Sequence, residues 1–118
     1  MRPVIALFRG EGHVLVDGND EERAVVPPEA FGVPVREFFP EPKYRLLQAV
    51  MDAVWRDGRP RVLPFQDGAV TVVLLRDRQG RRLGVGTRYA ERAPVSRLRP
   101  RDLASGLGEL VGVLPLGT

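Results

Sequence analysis

The stretch Val70-Thr71-Val72-Val73-Leu74-Leu75, Asp77-Arg78-Gln79-Gly80, Arg82-Leu83-Gly84-Val85-Gly86-Thr87-Arg88-Tyr89 reads as one β-hairpin. An unbroken apolar and β-branched run reads as a strand buried on both faces, and so as a central one. Asp77 and Gly80 supply the turn. On the returning strand the two-residue period places Leu83, Val85, Thr87 and Tyr89 on one face and Arg82, Gly84, Gly86 and Arg88 on the other. The second face is bare of side chains between its two Arg, so a helix, a ligand or another backbone can approach closely. The plainer expectation is a helix lying across Gly84 and Gly86. The sharper one is a small anionic ligand held between Arg82 and Arg88, with Glu91 the nearest carboxylate in sequence.

Outward from this hairpin, Asp67-Gly68 turns back into Arg61–Phe65, a strand whose Pro64 assigns it to an edge. Lys43–Asp57 carries Leu47, Val50, Met51 and Val54 at helical spacing, widened by Tyr44 and Trp55. Pro42 suits its first turn, and Gly58 and Pro60 stop it. Val4–Phe8 is continuously apolar and reads as another central strand, with His13–Val16 returning after Gly10-Glu11-Gly12. Between them, residues 17–42 hold Pro27, Pro28, Pro34, Pro40 and Pro42 and read as an irregular connection, with a short edge strand inside Val33–Phe39. Residues 93–100 form a basic loop. Arg101–Val111 then aligns Leu103, Leu107, Leu110 and Val111 on one helical face despite Gly106 and Gly108, and Leu114–Leu116 is a greasy tail.

The resulting order, ββ-α-βββ-α, predicts an α+β fold: an antiparallel sheet of about five strands with two helices packed on it, all in one domain spanning 1–118. That element order is similar to those of longin-like and profilin-like domains. No motif ties the chain to either, so the likeness carries architecture and no function.

Composition narrows the chemistry. The 118 residues include no Cys and a single His, which removes thiol catalysis, disulfides and every Cys-based or multi-histidine metal site within one chain. No apolar run reaches the roughly 20 residues of a membrane-spanning helix. The apolar stretch Val4–Phe8 is too short for a signal peptide, and a cytoplasmic location is expected. Of the 18 basic residues 17 are Arg, and Asn19 is the one Asn, a thermophile-like bias that a GC-rich genome would also produce. No cofactor is expected.

Charge is segregated along the chain. Residues 1–41 carry eight acids against four Arg, a net of −4, whereas residues 76–101 carry nine Arg against two acids, a net of +7. Arg78, Arg81, Arg82, Arg88, Arg92, Arg97, Arg99 and Arg101 are therefore the candidate site: guanidinium groups bind phosphates bidentately, and several on one face would hold an RNA or DNA backbone. Against this, only Tyr89 offers an aromatic ring for base stacking in the stretch.

Other constellations are weaker. His13 could act as a general base only beside a nucleophile, and none of Thr71, Thr87, Ser96, Ser105, Thr118, Tyr44 or Tyr89 lies in a nucleophile motif. It reads as a partly exposed residue at the start of a hairpin strand. Asp17-Gly18-Asn19-Asp20-Glu21-Glu22 opens like a calcium loop, but Glu22 stands where Gly belongs and Pro28 where the closing Glu belongs. The reading that fits best is a non-catalytic interaction module that self-associates, most simply as a homodimer. In it the acidic segment of one copy meets the Arg-rich segment of another, and Phe31, Phe38, Phe39 and Leu114–Leu116 supply spare apolar surface. Nucleic-acid binding through 76–101 is the alternative, and an anion at the Gly84/Gly86 strip the second alternative.

Overall fold

The structure, a computed structural model, describes residues 2–39 and 41–91. Five antiparallel strands form one sheet: β1 (Val4–Arg9), β2 (Val14–Gly18), β3 (Arg61–Phe65), β4 (Gly68–Arg76) and β5 (Arg82–Glu91). Their spatial order is β2-β1-β5-β4-β3. The continuous apolar runs do occupy interior positions, and among the described residues Pro64 does sit at an edge, where β3 pairs with β4 alone. The fold class expected from the element order is the one observed.

The sheet's helix-side face carries Ala6, Phe8, Leu15, Leu63, Val70, Val72 and Val85. Against it lies α3 (Arg45–Asp57), which drives Met51 and Val54 to complete burial. Each such side chain contributes about 1.5–3 kcal/mol through its removal from water. α3 is preceded by a 3-10 turn at Pro42–Tyr44 and ends where Gly58 adopts φ +75°, its N–H donating to the Val54 carbonyl at 2.8 Å. The Asp57 carboxylate then accepts both Nη groups of Arg61, at 2.9 and 2.6 Å, which ties the helix end to the start of β3. That guanidinium fork and the Arg59 N–H hold Asp57 far below the usual carboxylate range.

Residues 17–42 correct the expectation of an irregular connection. They form α1 (Asp20–Val25), a 3-10 turn at Pro28–Ala30 and α2 (Val35–Phe38). The prolines that read as breakers stand at helix entrances: Pro28 and Pro42 occupy first-turn positions, and Pro27 and Pro34 the preceding caps. Proline is preorganised for that place, since an N–H there would have no intrahelical partner. Val33–Phe39 is accordingly not an edge strand. It makes one isolated bridge, Val14↔Pro34, before turning into α2, with the Val35 N–H on the His13 carbonyl at 3.0 Å.

α1 rests on one amide. Asn19 Oδ1 accepts from the N–H groups of Glu22 and Ile5, both at 3.1 Å, while Nδ2 donates to the Pro3 carbonyl at 2.9 Å. A single side chain thus caps the helix and staples it to β1.

The facing of β5 also departs from simple alternation. The β4–β5 register passes from Leu75↔Gly84 to Arg76↔Arg82, so Leu83 bulges and Arg82 turns towards α3, its Nη2 donating to the Arg56 carbonyl at 2.9 Å. Gly84 is explained by strand approach: a Cβ there would overlap the Phe8 carbonyl oxygen of β1. The basic loop 93–100, the helix expected at 101–111 and the tail Leu114–Leu116 lie outside the described residues. Among the described residues no helix is long and apolar enough to cross a membrane.

Gly84→Ala should therefore lower stability by about 3 kcal/mol, a fall in melting temperature of roughly 10 °C or more. Gly12→Ala, whose added Cβ meets nothing within 4 Å, should shift it by under about 0.5 kcal/mol. Thermal denaturation followed by circular dichroism compares the two; equal effects would refute the close-approach account.

Candidate functional site

Between the helix-side face of the sheet and the α1–α2 region lies a cavity of about 330 Å³. Val4, Ala6, Phe8, Val70 and Thr87 form its floor, and Val25, Val26, Val35, Phe39 and Leu47 its opposite wall. Aromatic rings follow one another along one side, with centroid separations of 4.9 Å for Phe38–Phe39, 4.9 Å for Phe39–Tyr44, 5.6 Å for Tyr44–Phe65 and 6.2 Å for Phe65–Tyr89. Such pairs add about 0.5–1.5 kcal/mol each beyond the area they bury. They link α2, the turn before α3, β3 and β5 into a continuous wall. Phe31, Phe38 and Phe39, expected as spare contact surface, are half-buried against the core.

Among the described residues that line the cavity, Glu22 is the one carboxylic acid. It stands three residues after the Asn19 cap, where a Glu commonly reaches back to the cap N–H. Here it turns inward instead and is buried, and no hydrogen bond to its carboxyl is present among the described residues. Gly18 makes the room, because a Cβ there would lie 2.6 Å from Glu22 Cγ and 2.9 Å from the Ile5 carbonyl. Loss of hydration pushes the Glu22 carboxyl up to about 7. At neutral pH it is poised between a proton-donating acid and an acceptor-only carboxylate.

The other candidates disperse. His13 is buried rather than partly exposed, and its Nε2 meets Asp52 Oδ1 at 2.7 Å while Nδ1 has no partner. It pins the β1–β2 turn to α3, and among the described residues its ring bonds to the Asp52 carboxylate and to no hydroxyl. The carboxylates of 17–22 diverge: Asp17 pairs with Arg23 at 2.6 Å, Glu21 with Arg2 at 3.3 Å, and Glu22 enters the cavity. Among the described residues no group of three or more His, Asp or Glu is placed to hold a metal ion.

Of the candidate Arg set, Arg78, Arg81 and Arg82 sit near one end of the β4–β5 hairpin. Arg81 Nε bonds Asp77 Oδ2 at 2.8 Å, closing the turn, and Arg82 serves α3. Arg88 stands about 20 Å further along β5 and on the face away from α3, so the bulge separates it from Arg82 and the two do not frame one anion site. Tyr89 lines the cavity. Arg92, Arg97, Arg99 and Arg101 lie outside the described residues. The reading of the sequence missed Glu22 as a site residue; the signal for it was Asn19 with Glu three positions later, a helix-start pattern.

No model of a known protein family matches this chain, and no curated protein matches it in sequence. Solved structures do. The sensory box sensor histidine kinase from Vibrio cholerae aligns with a TM-score of 0.61 at 18% identity, covering 80% of this chain and 85% of that one. The PAS domain of the histidine kinase ThkA aligns at 0.62 and 14%, covering 77% and 100%. The fold is that of a PAS domain. The Aer2 receptor from Vibrio cholerae, described as a dual PAS-haem oxygen sensor, aligns at 0.52 and 14%, covering 79% and 96%. Haem iron is most often held by an axial His, Cys or Met. Among the described residues lining this cavity none is a His, Cys or Met, and the haem-ligating side-chain type it does carry is Tyr, at Tyr44 and Tyr89.

Glu22 sets a pH signature. In the native state it keeps its proton up to about 7, whereas the unfolded chain releases it near 4.5. The native state binds the extra proton between those values, so stability should fall as pH rises from about 5 to 8, by on the order of 2 kcal/mol. Urea unfolding at both ends should show that fall in the wild type and its loss in Glu22→Gln. An equal fall in both would refute the assignment.

Proposed function

We propose that this chain is a non-catalytic sensing module whose cavity takes a small, largely apolar molecule with one polar group set against Glu22. The observation that carries this reading is the cavity itself: an apolar and aromatic enclosure within the size range of small-molecule sites, holding one buried carboxyl of raised pKa. The likeness to domains of sensor kinases and of a receptor supports a role in input rather than in chemistry. With Glu22 protonated, the site presents a donor to a carbonyl or ether oxygen of the ligand. Above about pH 7 it presents a charge that such a ligand cannot satisfy.

Binding is expected for N-phenyl-1-naphthylamine, an uncharged probe that fluoresces in apolar surroundings. Its emission should rise with the full-length protein, and at 100 times its dissociation constant it should add about 2.7 kcal/mol to stability. Ala6→Leu, which fills the cavity floor, should reduce that affinity at least tenfold while the far-UV spectrum is kept. Affinity unchanged in Ala6→Leu would overturn the proposal.

Self-association in the cytoplasm belongs to the same reading. The acidic N-terminal third and the Arg-rich stretch 76–101 are complementary in charge, and Val16, Val25, Leu46 and Val62 are exposed apolar side chains. Light scattering should give a dimer at 50 mM salt that moves towards monomer at 500 mM; a monomer at both removes this part of the reading.

A further inference from the structure

A second cleft lies apart from the Glu22 cavity and shares none of its described residues. Its volume is about 500 Å³, and it is lined by Glu11, Gly12, Arg36, Asp52, Trp55 and Arg56. Three elements build it. Asp52, Trp55 and Arg56 stand at i, i+3 and i+4 on α3, and so on one helix face. Glu11 and Gly12 belong to the β1–β2 turn, and Arg36 to α2. Backbone bonds fix these walls: the Gly10 N–H donates to the Leu83 carbonyl at 2.9 Å, and the Val35 N–H to the His13 carbonyl at 3.0 Å.

The lining carries two charges of each sign, and they stay apart. Elsewhere an acid and an Arg close in sequence do pair, as Asp17 with Arg23, Asp57 with Arg61 and Asp77 with Arg81. Asp52 and Arg56 have the spacing at which such pairs form on a helix. Among the described residues, however, the side chains of Glu11, Arg36 and Arg56 make no ion pair. Asp52 is held by His13 instead, whose Nε2 meets Oδ1 at 2.7 Å and leaves the second carboxylate oxygen to the cleft. His13 takes that position with φ +52° and with Nδ1 buried without a partner. Strained backbone and an unsatisfied polar atom on one residue are costs that native structures accept chiefly where they serve a site. What they achieve here is an Asp52 carboxylate turned to His13 and not paired with Arg56.

We propose that this cleft binds a free α-amino acid with a large apolar side chain. Arg36 and Arg56 take its carboxylate, a group that guanidinium bonds bidentately and with charge assistance. Glu11 and Asp52 take its ammonium, and Trp55 offers its side chain a flat apolar surface. A simple anion would gain the two Arg but face the two acids, and a simple cation would meet the reverse. A zwitterion satisfies both pairs. The inference is independent of the ligand proposed for the Glu22 cavity.

Trp55 is the one tryptophan of the chain, so its emission reports on this cleft in the full-length protein. L-Phenylalanine should shift that emission saturably at concentrations up to about 10 mM. 3-Phenylpropionate, which lacks the ammonium, and phenethylamine, which lacks the carboxylate, should each bind at least about tenfold more weakly. Glu11→Gln should weaken L-phenylalanine several-fold yet tighten 3-phenylpropionate, and Arg36→Gln should weaken L-phenylalanine yet tighten phenethylamine. Both residues are exposed, and an unchanged far-UV spectrum checks the fold. Opposite movements of two ligands in one variant are a response that general loss of structure does not produce. Ala6→Leu, which fills the other cavity, should bind L-phenylalanine as the wild type does. A loss there would place the amino acid beside Glu22 and overturn the proposal. So would the absence of a saturable shift, or a truncated analogue binding as tightly as L-phenylalanine.

Discussion

Everything else in the structure depends on the pairing of β1 with β5. Val4↔Tyr89 through Arg9↔Gly84 joins segments about eighty residues apart in the chain and makes the N-terminal strand an interior one. Closing so long a loop is slow to achieve, and only well-matched non-local contacts repay it. The match here is close enough that Gly84 has no space for a Cβ over the Phe8 carbonyl. With that pair formed, β2 and β4 extend the sheet on either side, and both faces of β1 and β4 become buried.

Small polar contacts then fix the ends of the helices, beside the apolar face through which α3 packs on the sheet. Asn19 satisfies the Ile5 and Glu22 N–H groups at once, and His13 reaches from the β1–β2 turn to Asp52 on α3. Short helices such as α1 and α2 have little stability of their own, so fixed ends and packing against the sheet hold them in place. Because they stand off the sheet, they leave the cavity, and because Gly18 lacks a side chain, Glu22 can turn into it. A carboxyl in that position costs stability whenever it is charged. A sequence consistent at most levels commonly carries such a conflict where it functions.

Much of the sheet was legible in the residues. The runs Val4–Phe8 and Val70–Leu75 announced interior strands, Pro64 an edge, and Gly58 a helix end. The connection 17–42 was not legible, because proline has two opposite meanings: it interrupts a helix from within and opens one at the first turn. The facing of Arg82 was hidden for a different reason. A bulge is a property of two paired strands, and alternation along β5 alone carries no trace of it.

The sequence by itself determined the class of fold, the interior strands and the poverty of reactive groups, since periodicity, turn residues and composition are local quantities. The tertiary structure alone decided that Glu22 faces a cavity, that His13 is buried against Asp52 and that Arg82 and Arg88 lie on opposite faces. Burial, desolvation and facing are set by what the rest of the chain places around a residue, and for Glu22 the same desolvation that sets its pKa follows from neighbours that span Val4 to Tyr89.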